Sequence, residues 1–106
     1  MVADPARGEV WWGEAPDEKG RPYLVLTRDE AIPVLRAVLV APVTRTARGI
    51  PSEVVLGRAQ GLPVESAATM DNVLAFPKSM LTRRMGAVGA TELWRICDAL
   101  RAATDC

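Results

Sequence analysis

Up to Val88 the chain is a series of short apolar runs punctuated by glycine, proline and charged residues; only then does the spacing turn helical. Glu9-Val10-Trp11-Trp12-Gly13 reads as a first strand. Strand side chains alternate between faces, so the two tryptophans must part company. One belongs in the core, the other on the surface or in an interface. Glu14 to Gly20 is a polar loop broken by Pro16 and Gly20. Arg21 to Thr27 is a second strand, with Pro22 near its start where a missing N–H does least harm. Arg28 to Leu35 holds an acidic pair and Pro33, and reads as a connection with room for one helical turn.

Ala37-Val38-Leu39-Val40-Ala41 is a continuous apolar run and the candidate central strand. It is expected to continue to about Thr46, with Pro42 at a bulge. Arg48-Gly49-Ile50-Pro51 is a turn, Glu53 to Leu56 a strand closed by Gly57, and Gly61-Leu62-Pro63 another break. Glu65 to Ala68 is short and extended. Met70 to Phe76 reads as a strand ended by Pro77, and Leu81 to Val88 as the last strand, with Gly86 inside it. From Ala90 to Ala103, Leu93, Ile96, Cys97, Leu100 and Ala103 form one apolar helical stripe, with Glu92, Arg95, Asp98 and Arg101 on the other side. Either Gly89 or Thr91 serves as its cap. Short strands followed by one terminal helix predict a mainly β (α+β) fold: a small β-barrel whose helix covers an open end. Residues 1–106 make one domain.

Charge changes this picture more than composition does. The net charge is zero. Up to Glu30, however, acids outnumber bases; from Arg36 to residue 90 the bases dominate, and nearly all are arginine. Arginine grips phosphate through a planar fork and stays charged. No apolar run approaches the ~20 residues of a membrane helix. The start, Met1-Val2-Ala3-Asp4-Pro5, lacks the pattern of a secretory signal, which points to the cytoplasm.

The chain contains no histidine. Catalytic triads and Cys-His pairs are therefore excluded, and any chemistry falls to guanidinium, hydroxyl and carboxylate groups. Cys97 and Cys106 fit no metal spacing. Cys97 is expected on the buried side of the helix, and Cys106 as a free thiol. Arg21, between a loop glycine and Pro22, is held at the mouth of a strand. It can neutralise an oxyanion, or pair with Asp17 or Glu18. Thr44 ends the apolar run; its hydroxyl can hold a phosphate oxygen or bridge a strand edge. Arg45 and Arg48 make a basic lip suited to a nucleic-acid backbone. Asp71 and Asn72 interrupt an apolar stretch and need partners: a base edge, a turn or a subunit interface.

In their order and spacing these segments resemble the MazF/PemK family, the toxic half of bacterial toxin–antitoxin pairs. The resemblance rests on Arg7-Gly8-Glu9-Val10-Trp11-Trp12, Gly20-Arg21-Pro22, Thr27-Arg28-Asp29, Pro42-Val43-Thr44, Gly49 to Leu56 and Leu81-Thr82-Arg83-Arg84-Met85-Gly86. It implies an SH3-like (PemK/CcdB-like) barrel with a C-terminal helix, working as a homodimer. It also implies a metal-independent endoribonuclease, with no cofactor, that cuts single-stranded RNA at short sequences through attack by the 2′-hydroxyl. Products would be a 2′,3′-cyclic phosphate and a 5′-hydroxyl. The catalytic arginine and threonine of the family fall on Arg21 and Thr44. RNA contacts are expected from Glu18, Lys19, Arg45, Arg48, Asp71 and Asn72. The partner would be a cognate MazE-like antitoxin, with DNA reached only through it. Asp71-Asn72-Val73-Leu74 departs from the family's Glu-Gln-Ile-Arg-like segment by losing the arginine, and the loop before Arg21 is short, so the cleaved sequence does not carry over. Two other readings compete. A gyrase poison on the same fold would end in Trp-Gly-Ile, whereas this chain ends Thr104-Asp105-Cys106. An SH3-like binding module would need an aromatic groove, from a chain whose few aromatics are wanted in the core.

Overall fold

The computed structural model describes residues 4–105; expectations for Met1, Val2, Ala3 and the Cys106 thiol lie outside the described residues. Among the described residues seven strands are formed: β1 (Glu9–Gly13), β2 (Arg21–Val25), β3 (Ala37–Thr44), β4 (Glu53–Leu56), β5 (Ser66–Thr69), β6 (Leu74–Pro77) and β7 (Leu81–Ala87). One helix, α1 (Ala90–Thr104), follows. Every pairing is antiparallel, in the order β4-β5-β3-β2-β1-β7. The far edge of β3 is shared: its first half pairs with β6, its second with β5.

The apolar run of β3 follows from burial on both sides between Val40 and Val43, while Leu39 stays partly exposed. Side-chain alternation divides the interior into two clusters. Val10, Leu24, Ala41 and Val43 face one way and meet Val54, Leu56, Met70, Ile96 and Ala99 beneath α1. Trp11, Tyr23, Val25, Val38 and Val40 face the other way and meet Ile32, Phe76 and Leu81. The tryptophans part as expected: Trp11 is core, and Trp12 is half-buried. Tyr23 and Phe76 stack at 4.5 Å, tilted by 31°. They can do so because Gly13 lies beneath them; a methyl there would come within 2.8 Å of the Tyr23 ring.

The sheet stays open, since β4 and β7 share no ladder. A tight 3₁₀ turn at Arg58–Gln60 leans on β7 in its place. Two glycines permit the approach: a methyl on Gly61 would lie 2.1 Å from the Met85 carbonyl oxygen, and one on Gly86 2.2 Å from that of Gln60. The barrel seam is thus packed backbone against backbone, without a hydrogen-bonded ladder.

Several expected boundaries move, for identifiable reasons. Met70 to Phe76 is not one strand. Met70–Asn72 is a 3₁₀ turn, pinned because Met70 N–H donates to Ser52 O and the Ser52 hydroxyl donates to Asp71. The strand begins only at Leu74 and includes Pro77, which its edge position tolerates. β2 ends at Val25 because Thr27 turns its hydroxyl to accept the Leu39 N–H at 2.7 Å. β3 ends at Thr44, whose hydroxyl donates to the Thr46 carbonyl. Pro42 sits in regular register opposite Tyr23; the irregularities fall in the β1–β7 pairing, at Val10/Trp11 and Trp12/Gly13. Gly89 caps α1, its N–H bound by Glu92 at 2.8 Å. Cys97 is half-buried, not core, and accepts a hydrogen bond from Arg7 at 3.6 Å.

Candidate nucleic-acid interface

The ends of β2 and β3 carry the two residues singled out first. Arg21 is exposed and opens β2 opposite Gly13. The β2–β3 register runs Val25↔Val40, Leu24↔Ala41, Tyr23↔Pro42. The ladder ends there, two residues short of Arg21 on β2 and of Thr44 on β3, so the two residues stand at neighbouring strand ends.

Two clefts flank these strand ends. The first, of about 520 Å³, is lined by Glu18, Lys19, Arg21, Tyr23, Pro42, Asn72 and Leu74. It gathers four of the expected residues from three segments: the loop before β2, β2 itself, and the Met70–Asn72 turn. Burial pushes the Tyr23 phenol above its usual pKa; Arg21 pulls it down and Glu18 pushes it up, so both charges lie within reach of the ring. The phenol therefore stays protonated and can donate.

The second cleft, of about 730 Å³, has Thr44 and Arg45 in its wall, together with Trp12, Arg58, Leu62, Arg83 and Met85. Thr44 thus lines a different cleft from Arg21. Trp12 is set tightly. Its indole lies over Gly20, so close that a methyl on Gly20 would fall 2.5 Å from the ring. Its Nε1–H donates to Glu14 at 2.9 Å. The seat of Trp12 therefore borders the residue before Arg21.

Arg48 and Asp71 line neither cleft. Arg48 is exposed, and its backbone N–H donates to Glu53 at 2.7 Å. Asp71 accepts the Ser52 hydroxyl and so holds the 70–72 turn to the start of β4. Sequence reading did not single out Trp12, Tyr23, Arg58 or Arg83 for the site. The alternation of the tryptophan pair was the one available signal; the rest depends on chain segments meeting in space. Among the described residues, no group of three metal-ligating side chains occurs, and no helix is long and apolar enough to cross a membrane.

These features define a small, histidine-free β protein with a cationic face at the ends of two central strands. The chain belongs to the family of PemK-like, MazF-like toxins of type II toxin–antitoxin systems, whose model matches residues 6–104. It is 47% identical, over 100% of its length and 98% of the relative's, to a probable endoribonuclease MazF5 of Mycobacterium tuberculosis H37Rv. Among solved structures it is similar to the Mycobacterium tuberculosis toxin MazF-mt6, with a TM-score of 0.85 and 33% identity over 92% of this chain and 96% of that one. It is also similar to an endoribonuclease in complex with its cognate antitoxin from a mycobacterial species: TM-score 0.84, 25% identity, 95% of each chain.

Proposed function

We propose that this chain is the endoribonuclease toxin of a type II toxin–antitoxin pair, acting in the cytoplasm on single-stranded RNA. The observation that supports this most is the full-length 47% identity to a probable endoribonuclease, combined with Arg21 at the start of β2 and Thr44 at the end of β3, its antiparallel neighbour. The gyrase-poison alternative is not favoured, because the relatives bear endoribonuclease names.

RNA carries its own nucleophile, so the protein needs only to orient it and stabilise charge. The 2′-oxygen attacks the adjacent phosphorus while the P–O5′ bond breaks. The 2′-hydroxyl gives up its proton to a carboxylate and the 5′-oxygen takes one from water. Arg21 neutralises the non-bridging oxygens. Thr44, in the wall of the adjoining cleft, turns its hydroxyl from the Thr46 carbonyl to donate to the same phosphate. Of the three loop carboxylates Glu14, Asp17 and Glu18, Glu18 alone lines the Arg21 cleft and Glu14 holds Trp12, which favours Glu18 as the group that takes the 2′-hydroxyl proton. Lys19 and Asn72 border the incoming strand from the same cleft.

A homodimer is part of this reading. Among the described residues, β6 is hydrogen-bonded along one edge only, to β3; Leu74 in β6 and Leu39 in β3 remain 39% and 40% exposed. A MazE-like antitoxin would inhibit by covering the RNA face.

The test is cleavage of a single-stranded RNA by purified protein. Arg21→Ala and Thr44→Ala should fold normally and each lose about 10²–10³-fold in rate, the usual worth of one preorganised donor. Undiminished cleavage by Arg21→Ala refutes its assignment.

A further inference from the structure

The larger cleft extends well beyond Thr44, and most of its wall has no part in the scheme above. Arg83 and Arg84 are neighbours on β7, yet their surroundings differ. Arg84 sits opposite Trp11, and its Nε is neutralised by Glu9 at 2.6 Å. Arg83 sits opposite Trp12, lines the cleft and, among the described residues, has no carboxylate partner. Arg58 reaches the same cleft from the turn that closes the barrel seam, and Arg45 from the end of β3; neither has a carboxylate partner among the described residues. Among the described residues, no acidic one lines this space. Three unopposed guanidiniums thus converge from separate segments around one indole.

We propose that this cleft is a nucleotide subsite for the RNA strand beside the scissile phosphate. Trp12 provides the stacking surface for one base, and Arg58 and Arg83 hold backbone phosphates. The inference rests on the endoribonuclease reading and adds to it the path of the strand. Single-strand binding sites combine these two parts, a cationic groove and an aromatic platform. A volume of about 730 Å³ lies within the range of small-molecule pockets, with room for a base and its sugar. Thr44 in the wall joins the subsite to the cleavage centre. Trp12 is already immobilised by Gly20 and Glu14, so stacking on it orders little that was loose.

The experiment uses the full chain and a short fluorescein-labelled 2′-O-methyl RNA, which lacks the nucleophile and survives the measurement. Affinity is read by fluorescence anisotropy across a salt series. The double variant Arg58→Ala/Arg83→Ala should bind at least about tenfold more weakly. Its plot of log affinity against log salt should flatten by about 1.4, as expected when two phosphates of a single strand are no longer neutralised. On cleavable RNA its KM should rise while kcat holds. Arg83→Lys, which keeps the charge, should recover most of the slope, and Arg101→Ala on α1 should change nothing.

If the wild-type protein binds and cleaves RNA but the double variant keeps its affinity and salt slope, the subsite is refuted while the nuclease reading stands. If the wild-type protein neither binds nor cleaves RNA, both fall. If the double variant keeps RNA affinity but loses affinity for polyglutamate, the cleft takes an acidic peptide and the nucleotide assignment is overturned.

Discussion

Gly20→Ala isolates the link between the seat of Trp12 and the placement of Arg21. Gly20 is not among the positive-φ glycines, which are Gly8, Gly49 and Gly61, so alanine meets no backbone penalty there. The perturbation is purely steric. The new methyl would lie 2.5 Å from Trp12 Cζ2 and 2.6 Å from Cε2 and Nε1. Carbon contacts are comfortable only at about 3.5–4.0 Å, so roughly 1 Å must be found. Trp12 is poorly able to yield, being bound to Glu14 and flanked in the sheet by Pro22 and Arg83. The loop must then move, and Arg21 with it. Overpacking of this size costs about 1–3 kcal/mol, and each kcal/mol lowers Tm by ~4–8 °C in a domain of this length. A displacement of about 1 Å at a catalytic group costs on the order of 10²-fold in rate. Thermal melts and single-turnover RNA cleavage read both effects. In a Trp12→Ala background the methyl has room, so the same glycine substitution should cost almost no stability, giving a coupling of about 1–3 kcal/mol. A Gly20→Ala protein that melts and cleaves like wild type refutes the reasoning, as would additive costs in the cycle.

Other substitutions test other parts of the structure. Glu9 is raised by burial but lowered further by bonds from Arg84, Trp11 and the Ala6 N–H, so its carboxyl titrates below the ordinary 4.5. Its contribution is therefore full above the unfolded-state pKa and lost as pH falls through the folded one. Glu9→Gln should cost about 1.5–3 kcal/mol at neutral pH, and wild type and variant should converge in melts at strongly acid pH; a gap that persists there counts against this account. Gly61→Ala combines a φ of +91° with a methyl 2.1 Å from a carbonyl oxygen, and should destabilise far more than Gly49→Ala, where φ is +70° but the space is open. Equal melting temperatures for those two would show that the 58–60 turn does not seal the barrel. Leu74→Lys should shift sedimentation from dimer toward monomer if β6 lies in the dimer face, and an unchanged dimer places that face elsewhere.

The central strands were legible because burial on both faces leaves a plain signature. The apolar run of β3 and the split of the tryptophan pair both follow from a period of two, which needs no knowledge of neighbours. The start of β6 was not legible. Met70-Asp71-Asn72 has strand-like apolar flanks, and what bends it is a hydroxyl from Ser52, in a distant segment. The half-buried environment of Cys97 depends in the same way on Arg7, 90 positions earlier. Arg21 and Thr44 stand out because each bounds a recognisable run, Arg21 at its start and Thr44 at its end. Arg58 and Arg83 do not, since nothing near them in sequence separates them from paired arginines such as Arg84. Only the sheet register, which turns Arg83 toward Trp12 and Arg84 toward Trp11, makes that separation.

The same register explains how a chain of zero net charge presents a cationic face. Many of its carboxylates are engaged internally, and few of them by arginine. Glu53 binds the N–H groups of Arg48 and Gly49, Asp29 that of Arg7, and Glu92 that of Gly89. Asp71 takes a serine hydroxyl and Glu14 an indole. Only Glu9–Arg84 and Asp4–Lys78 join opposite charges among the described residues. The acids thus stabilise turns and strand ends, and leave Arg45, Arg58 and Arg83 unopposed around one cleft. A polyanion at physiological salt responds to charge within a Debye length of about 8 Å, not to the sum over the molecule. For such a surface, net neutrality sets no bar to binding a phosphate chain; how the carboxylates are distributed decides it.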